Sequence, residues 1–220
     1  SYTRHFLIDA VEVNAMHKLK YRNELRGAAE RGDLDRVKRL VKQGAPLNES
    51  DWLDETVLGI ASSAGHIDVV KYLVENGSEV NAVDKSGLTA LGMAANEGHV
   101  DVVKYLAENG AEVNAVDQSG LTALGMAADE GHVDVVKYLV ENGAEVNAVD
   151  KWGDSALGKA ASAMHVDIMK YLEENGAEVN AVDKMGRKKI LNELYGAASR
   201  GDLDLVKRLV KQGVPLNESD

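Results

Sequence analysis

Polar and apolar positions alternate along this chain in a pattern that repeats. Over Asp84 to Val116, apolar residues fall at Leu91, Ala94 and Ala95, then at Val100, Val103 and Leu106, with Lys104 and Glu108 on the opposite side. The first set has the i, i+3, i+4 spacing of one helix face, and the second recurs every three residues along one. The same order returns over Asp117 to Val149, and the marker glycines Gly87, Gly120, Gly153 and Gly186 recur at a spacing of 33 residues. A fixed period in this range marks one supersecondary unit stacked on itself. Each unit is predicted to hold two short helices. The first runs from Thr89, whose hydroxyl can cap it, to Gly98, and the second opens at His99 and ends at Asn109-Gly110. Glu112 to Gly120 is small and polar and predicts a finger-like turn.

The period divides the chain. Residues 51–182 hold four regular units, 51–83, 84–116, 117–149 and 150–182. Residues 23–50 predict a preceding helix pair, with Leu25, Ala28 and Ala29 on one face and Leu34, Val37, Leu40 and Val41 on the next. Gly44 and Pro46 stop it. Residues 183–220 form a last unit, in which Gly186 stands four residues further from its Ala-Ala pair than Gly87 does. Four residues are about one helical turn, so its first helix should be lengthened through Lys188, Lys189, Ile190 and Leu191. Residues 192–220 nearly copy 23–51. Arg26, Glu30, Arg36 and Ala45 become Tyr195, Ser199, Leu205 and Val214, which suits a face buried against a preceding unit. Residues 1–22 lie outside the period. Val11 to Ala15 echoes the finger phrase, so this segment reads as a degenerate repeat fragment or a fused leader, with Phe6, Leu7 and Ile8 favouring a docked segment.

Composition narrows the function. Apolar content is 45% and charged content 28%, which suits a folded chain. There is no 18-residue apolar run and no secretory cleavage pattern at the start, so a cytoplasmic protein is expected. The absence of cysteine excludes disulfides, thiolate nucleophiles and thiolate zinc sites. A net charge of −11 argues against nucleic acid and against anionic membrane surfaces.

The repeated phrase resembles the ankyrin repeat. Asp84, Gly87, Thr89, Leu91, Ala94, Ala95, Gly98, His99, Val102, Val103, Leu106, Gly110, Ala111, Val113, Asn114 and Ala115 fall on that family's pattern. The likeness covers roughly residues 23 to 220. It implies an all-α solenoid of paired antiparallel helices with short β-hairpin or loop fingers, and a protein-binding role. One departure is systematic. The Pro and His of the family's T-P-L-H are Val57 and Gly59, Ala90 and Gly92, Ala123 and Gly125, and Ala156 and Gly158. The threonine–histidine bonding of the family is then absent, and a helical glycine costs about 1 kcal/mol against alanine. These units should rely more on packing between neighbours. Near-identical units, a duplicated cassette and no cysteine also resemble designed ankyrin-repeat binding scaffolds, although recent natural duplication would look similar.

Little in the chain suggests reaction chemistry, and no enzymatic activity, cofactor or metal site is expected. His66, His99, His132 and His165 recur one per unit. Packed helices stand roughly 10 Å apart, too far for one ion with ligands at about 2 Å. The resemblance gives them a structural role between units. No phosphate-loop motif occurs, and the carboxylates Asp101, Glu108, Asp134 and Glu141 read as solvated helix faces. Lys184, Arg187, Lys188 and Lys189 make a small basic patch that reads as a solvated helix start, with an acidic partner contact as the alternative.

Partner binding in the resembled family uses finger tips and the exposed side of the first helices. The candidate residues there are Trp52, Leu53, Lys85, Leu88, Gln118, Leu121, Lys151, Trp152, Asp154 and Met185, the last placed at the start of the next finger. Trp152 is expected to be central, Trp52 either an anchor or a cover over residues 23–50. The leading expectation is a non-enzymatic protein-binding scaffold with an unidentified protein partner. The alternative is a consensus or engineered repeat array without a partner. Because 192–220 offers the same downstream face as 23–51 and no polar capping unit follows in this sequence, self-association through the C-terminal unit is a further expectation.

Overall fold

The computed structural model describes residues 19–49, 55–178 and 181–211, with no side-chain description at 181–187 and 211. Residues 19–30 are helical (α1). There follow α2 (Leu34–Lys42), α3 (Val57–Ser63), α4 (Ile67–Glu75), α5 (Ala90–Asn96), α6 (Val100–Glu108), α7 (Ala123–Glu130) and α8 (Val133–Glu141). The array closes with α9 (Ala156–Ala163), α10 (Val166–Glu174), α11 (Ala181–Arg200) and α12 (Leu203–Lys211). First helices stack in one layer, α3 on α5, α5 on α7, α7 on α9 and α9 on α11. Second helices stack in another, α2 on α4, α4 on α6, α6 on α8 and α8 on α10.

The helices start and stop for the local reasons the pattern implies. Thr56, Thr89, Thr122 and Ser155 cap α3, α5, α7 and α9, each hydroxyl accepting the N–H of the helical glycine three residues on, Gly59, Gly92, Gly125 and Gly158. The core is one continuous seam in which Leu58, Leu91, Leu124 and Leu157 recur beside Leu73, Leu106, Leu139 and Leu172, all 1% exposed or less. Val102 is wholly buried whereas Val100 is half-buried, so the inward face of α6 sits a little round from the expected one. Two of the helical glycines, Gly59 and Gly125, have a packing reason as well. A Cβ on Gly59 would meet Met93 Sδ at 3.0 Å, and one on Gly125 would meet Leu121 Cδ1 at 2.6 Å.

Two ladders join the units. His66, His99, His132 and His165 place Nε2 2.9, 2.9, 2.9 and 3.0 Å from the carbonyls of Glu30, Ser63, Asn96 and Asp129, at the end of the preceding unit's first helix. A carbonyl only accepts, so Nε2 carries the proton. Each ring lies against the positive-φ glycine of that preceding unit: a Cβ on Gly98 would stand 2.5 Å from His132 Nδ1. Asn48, Asn81, Asn114 and Asn147 form the second ladder. Each donates from Nδ2 to the carbonyl of Gly77, Gly110, Gly143 or Gly176 and accepts the N–H of Glu79, Glu112, Glu145 or Glu178.

The fingers between second and first helices are tight turns held by single bridges, Val83 to Thr89, Val116 to Thr122 and Val149 to Ser155. The last unit departs from this plan. Its first helix is lengthened as expected, but it begins at Ala181, so the stretch with Met185 is helical and no finger opens there.

Candidate functional site

The fingers and first helices bound a groove of about 530 Å3. Its floor is apolar: Ile60 on α3, Met93 on α5 and Met126 on α7 stand at one position of successive units. Leu88 and Leu121, half-buried on the fingers, continue that floor. The rest of the lining is mainly acidic, with Glu30 and Glu97 from the ends of first helices, Glu55 from the segment leading into α3, and Asp84 and Asp117 from the fingers. Among the described residues Arg26 is the one basic residue in the lining, and its Nη2 lies 2.8 Å from Glu55 Oε2.

Each finger is built around an aspartate. Asp84 Oδ1 accepts the N–H groups of Ser86 and Leu88, and Asp117 Oδ1 those of Ser119 and Leu121. Asp150 Oδ1 likewise accepts from Trp152 and Asp154. Fingers are also tied to one another, for Gln118 N donates to Ser86 O at 2.8 Å and Lys151 N to Ser119 O at 2.9 Å. The Gln118 side chain donates to Lys85 O, which turns it toward its neighbour rather than outward.

At the fourth regular unit the groove changes character. Lys159 occupies the position held by Ile60, Met93 and Met126. Its Nζ lies 2.9 Å from Asp150 Oδ2 and 3.7 Å from Asp154 Oδ2, with the Lys159 side chain 17% and the Asp150 side chain 0% exposed. The same ammonium stands over the Trp152 ring, 6.0 Å from its centroid. Burial raises the Asp150 carboxyl, but the Lys159 ammonium and the N–H groups of Asp154 and Trp152 outweigh it and hold the group below its ordinary value. Burial lowers Lys159, but Asp150 foremost, then Asp154 and Asp129, reverse that and raise it.

The expected site residues therefore separate. Leu88 and Leu121 line the groove together. Trp152 is outside that lining and 70% exposed, while Asp154 is engaged with Lys159. Lys85 and Lys151 are exposed at finger tips. Trp52 and Leu53 lie outside the described residues, as do residues 1–18, and Met185 is described only as part of α11. Sequence reading missed the strip Ile60, Met93 and Met126, which a comparison of every position one period apart would have found. On the opposite face Lys38, Lys71, Lys104 and Lys137 each stand 5.7 to 6.0 Å from the ring of Tyr72, Tyr105, Tyr138 or Tyr171 in the following unit. That charged face thus also braces the stack.

Among the described residues no group of three or more His, Cys, Asp or Glu could hold a metal ion, and no helix is long and apolar enough to cross a membrane. The family model described as ankyrin repeats, in three copies, matches residues 25–117 and 112–183, more than half of the chain. No curated protein matches it.

Proposed function

Since the chain belongs to the ankyrin-repeat family, we propose that it is a non-enzymatic protein-binding scaffold that receives its partner along the finger tips and first helices. Ankyrin repeats are generally protein–protein interaction modules and typically carry no catalytic activity. The observation that carries the reading here is the groove of about 530 Å3, with its Ile60–Met93–Met126 floor extended by Leu88 and Leu121. Ile60, Met93, Leu88 and Leu121 are partly exposed and Met126 is buried, and an apolar strip running over several units marks a contact surface that isolated leucines would not. Trp152, exposed beyond the strip and flanked by Lys151, adds the large amphipathic ring favoured in interface anchors. Residues 51–182 would then carry the recognition surface, and the units at 23–50 and 183–220 would close its ends.

The test begins with a pull-down that yields one stoichiometric protein partner. Affinity is then compared for Trp152→Ala and Lys137→Ala, with thermal melts to check folding. Trp152→Ala should weaken binding by about 2 kcal/mol, roughly thirtyfold, while Lys137→Ala on the opposite face should leave it nearly unchanged. Equal affinities would overturn this surface.

A further inference from the structure

The three fingers that carry Asp84, Asp117 and Asp150 are built alike, but their carboxylates meet different surroundings. Asp150 is matched from within the chain, by an ammonium at 2.9 Å that rises from the first helix nine positions later. At the same offset from Asp84 and Asp117 stand Met93 and Met126. Neither aspartate has an ion-pair partner among the described residues, and both are half-exposed to the groove. The remaining charge in the lining has the same sign. Glu30 and Glu97 stand on the far wall, and Arg26 is already held by Glu55. A groove with an apolar floor and unmatched carboxylates at its edge fits a ligand that is both apolar and cationic. It disfavours phosphate-bearing ligands, and a second copy of a chain of net charge −11.

We propose that the groove takes an extended basic segment of a protein partner, whose lysine ammoniums stand at Asp84 and Asp117 as Lys159 stands at Asp150. This rests on the protein-binding reading above and names the chemistry of the partner. The geometry suits it. Stacked helices lie about 10 Å apart, and three residues of polyproline-II chain, one full turn that returns the side chain to the same side, span about 9 Å. Lysines three positions apart would meet successive fingers. Their methylene stems would lie along Met93 and Met126, as long cationic side chains do on apolar surface, and the residues between them would face the floor.

The probe is a fluorescein-labelled nonapeptide with two lysines three positions apart and leucines between them, followed by anisotropy against the whole chain. Control peptides carry acetyl-lysine or glutamate in place of lysine. The lysine peptide should bind with a Kd of about 1 mM or tighter, more weakly as salt is added, and the controls at least tenfold more weakly. Asp84→Asn and Asp117→Asn keep the Oδ1 acceptor that holds each turn, remove the charge and put an NH2 in place of Oδ2; each should weaken binding about tenfold. Met126→Lys supplies an internal ammonium at Asp117, as Lys159 does at Asp150, and should weaken it to the same extent while the thermal melt stays cooperative. A lysine peptide that fails to bind, binds no better than its acetylated form, or ignores both asparagine substitutions overturns the inference. The scaffold reading is judged separately, by the Trp152→Ala and Lys137→Ala comparison.

Discussion

At the scale of single residues, Lys159 and Asp150 are the pair with most at stake. Both are largely removed from water, so each depends on the other to remain charged. Lys159→Ala leaves the carboxylate facing a void and should lower stability at neutral pH by about 2 kcal/mol in chemical denaturation. The sign of its pH dependence follows from the two shifts. Asp150 is held below its ordinary 3.8, so its contribution is present above that value and lost as pH falls through the lower folded value. Lys159 is raised above 10.5, so its contribution is present below that value and lost as pH rises through the higher folded one. The advantage of the unaltered chain over the variant should therefore hold between about pH 4 and pH 10 and close outside that window. A constant difference across the range would show that the pair is not what the substitution removes.

Among the helices, α11 stands apart. Gly87, Gly120 and Gly153 open finger turns with positive φ, but their counterpart Gly186 lies inside a 20-residue helix. The joint that follows also differs. The carbonyl of Ser162 is the counterpart of those reached by the histidine ladder, and here Lys189 Nζ donates to it at 2.8 Å. With no imidazole on it, position 164 can carry methionine at φ 66, where earlier units hold glycine. Because α11 is continuous, Gly186→Ala removes an entropic penalty and should stabilise the chain by about 0.5–1 kcal/mol. A finger turn at that place would make the same substitution destabilising, and a thermal melt separates the two.

The whole molecule is a chain of nearest-neighbour joints, so its stability should be a sum over units and their interfaces. Gly98→Ala tests this at the middle of the array. The new Cβ would meet the His132 ring at 2.5 Å and force a left-handed backbone on alanine. Together these should cost about 3 kcal/mol. Hydrogen exchange should then loosen most in α5 to α8, on either side of that joint, and less in α10. Uniform loosening along the array would argue for a single cooperative unit instead.

The period of 33, the helix pairs and their caps could be read from residues alone, because each rests on local spacing or on the short reach of one side chain to its own backbone. The structural place of the histidines came from the family resemblance, since each bonds a carbonyl of the preceding unit. Leu88 and Leu121 were legible as the free positions of the pattern that the resemblance supplies. The strip Ile60, Met93 and Met126 was not, because it is made by stacking, which sets residues a full period apart side by side. Nor was the role of Lys159. A lysine in a column of apolar residues reads as an interruption until the fold brings it within 2.9 Å of a buried carboxylate. The finger expected at Met185 failed because its residues are compatible with turn or helix, and the four added residues allowed the helix to run back through it. Local sequence decides where a chain turns and what caps it, whereas which side chains share a surface depends on how the units are laid against one another.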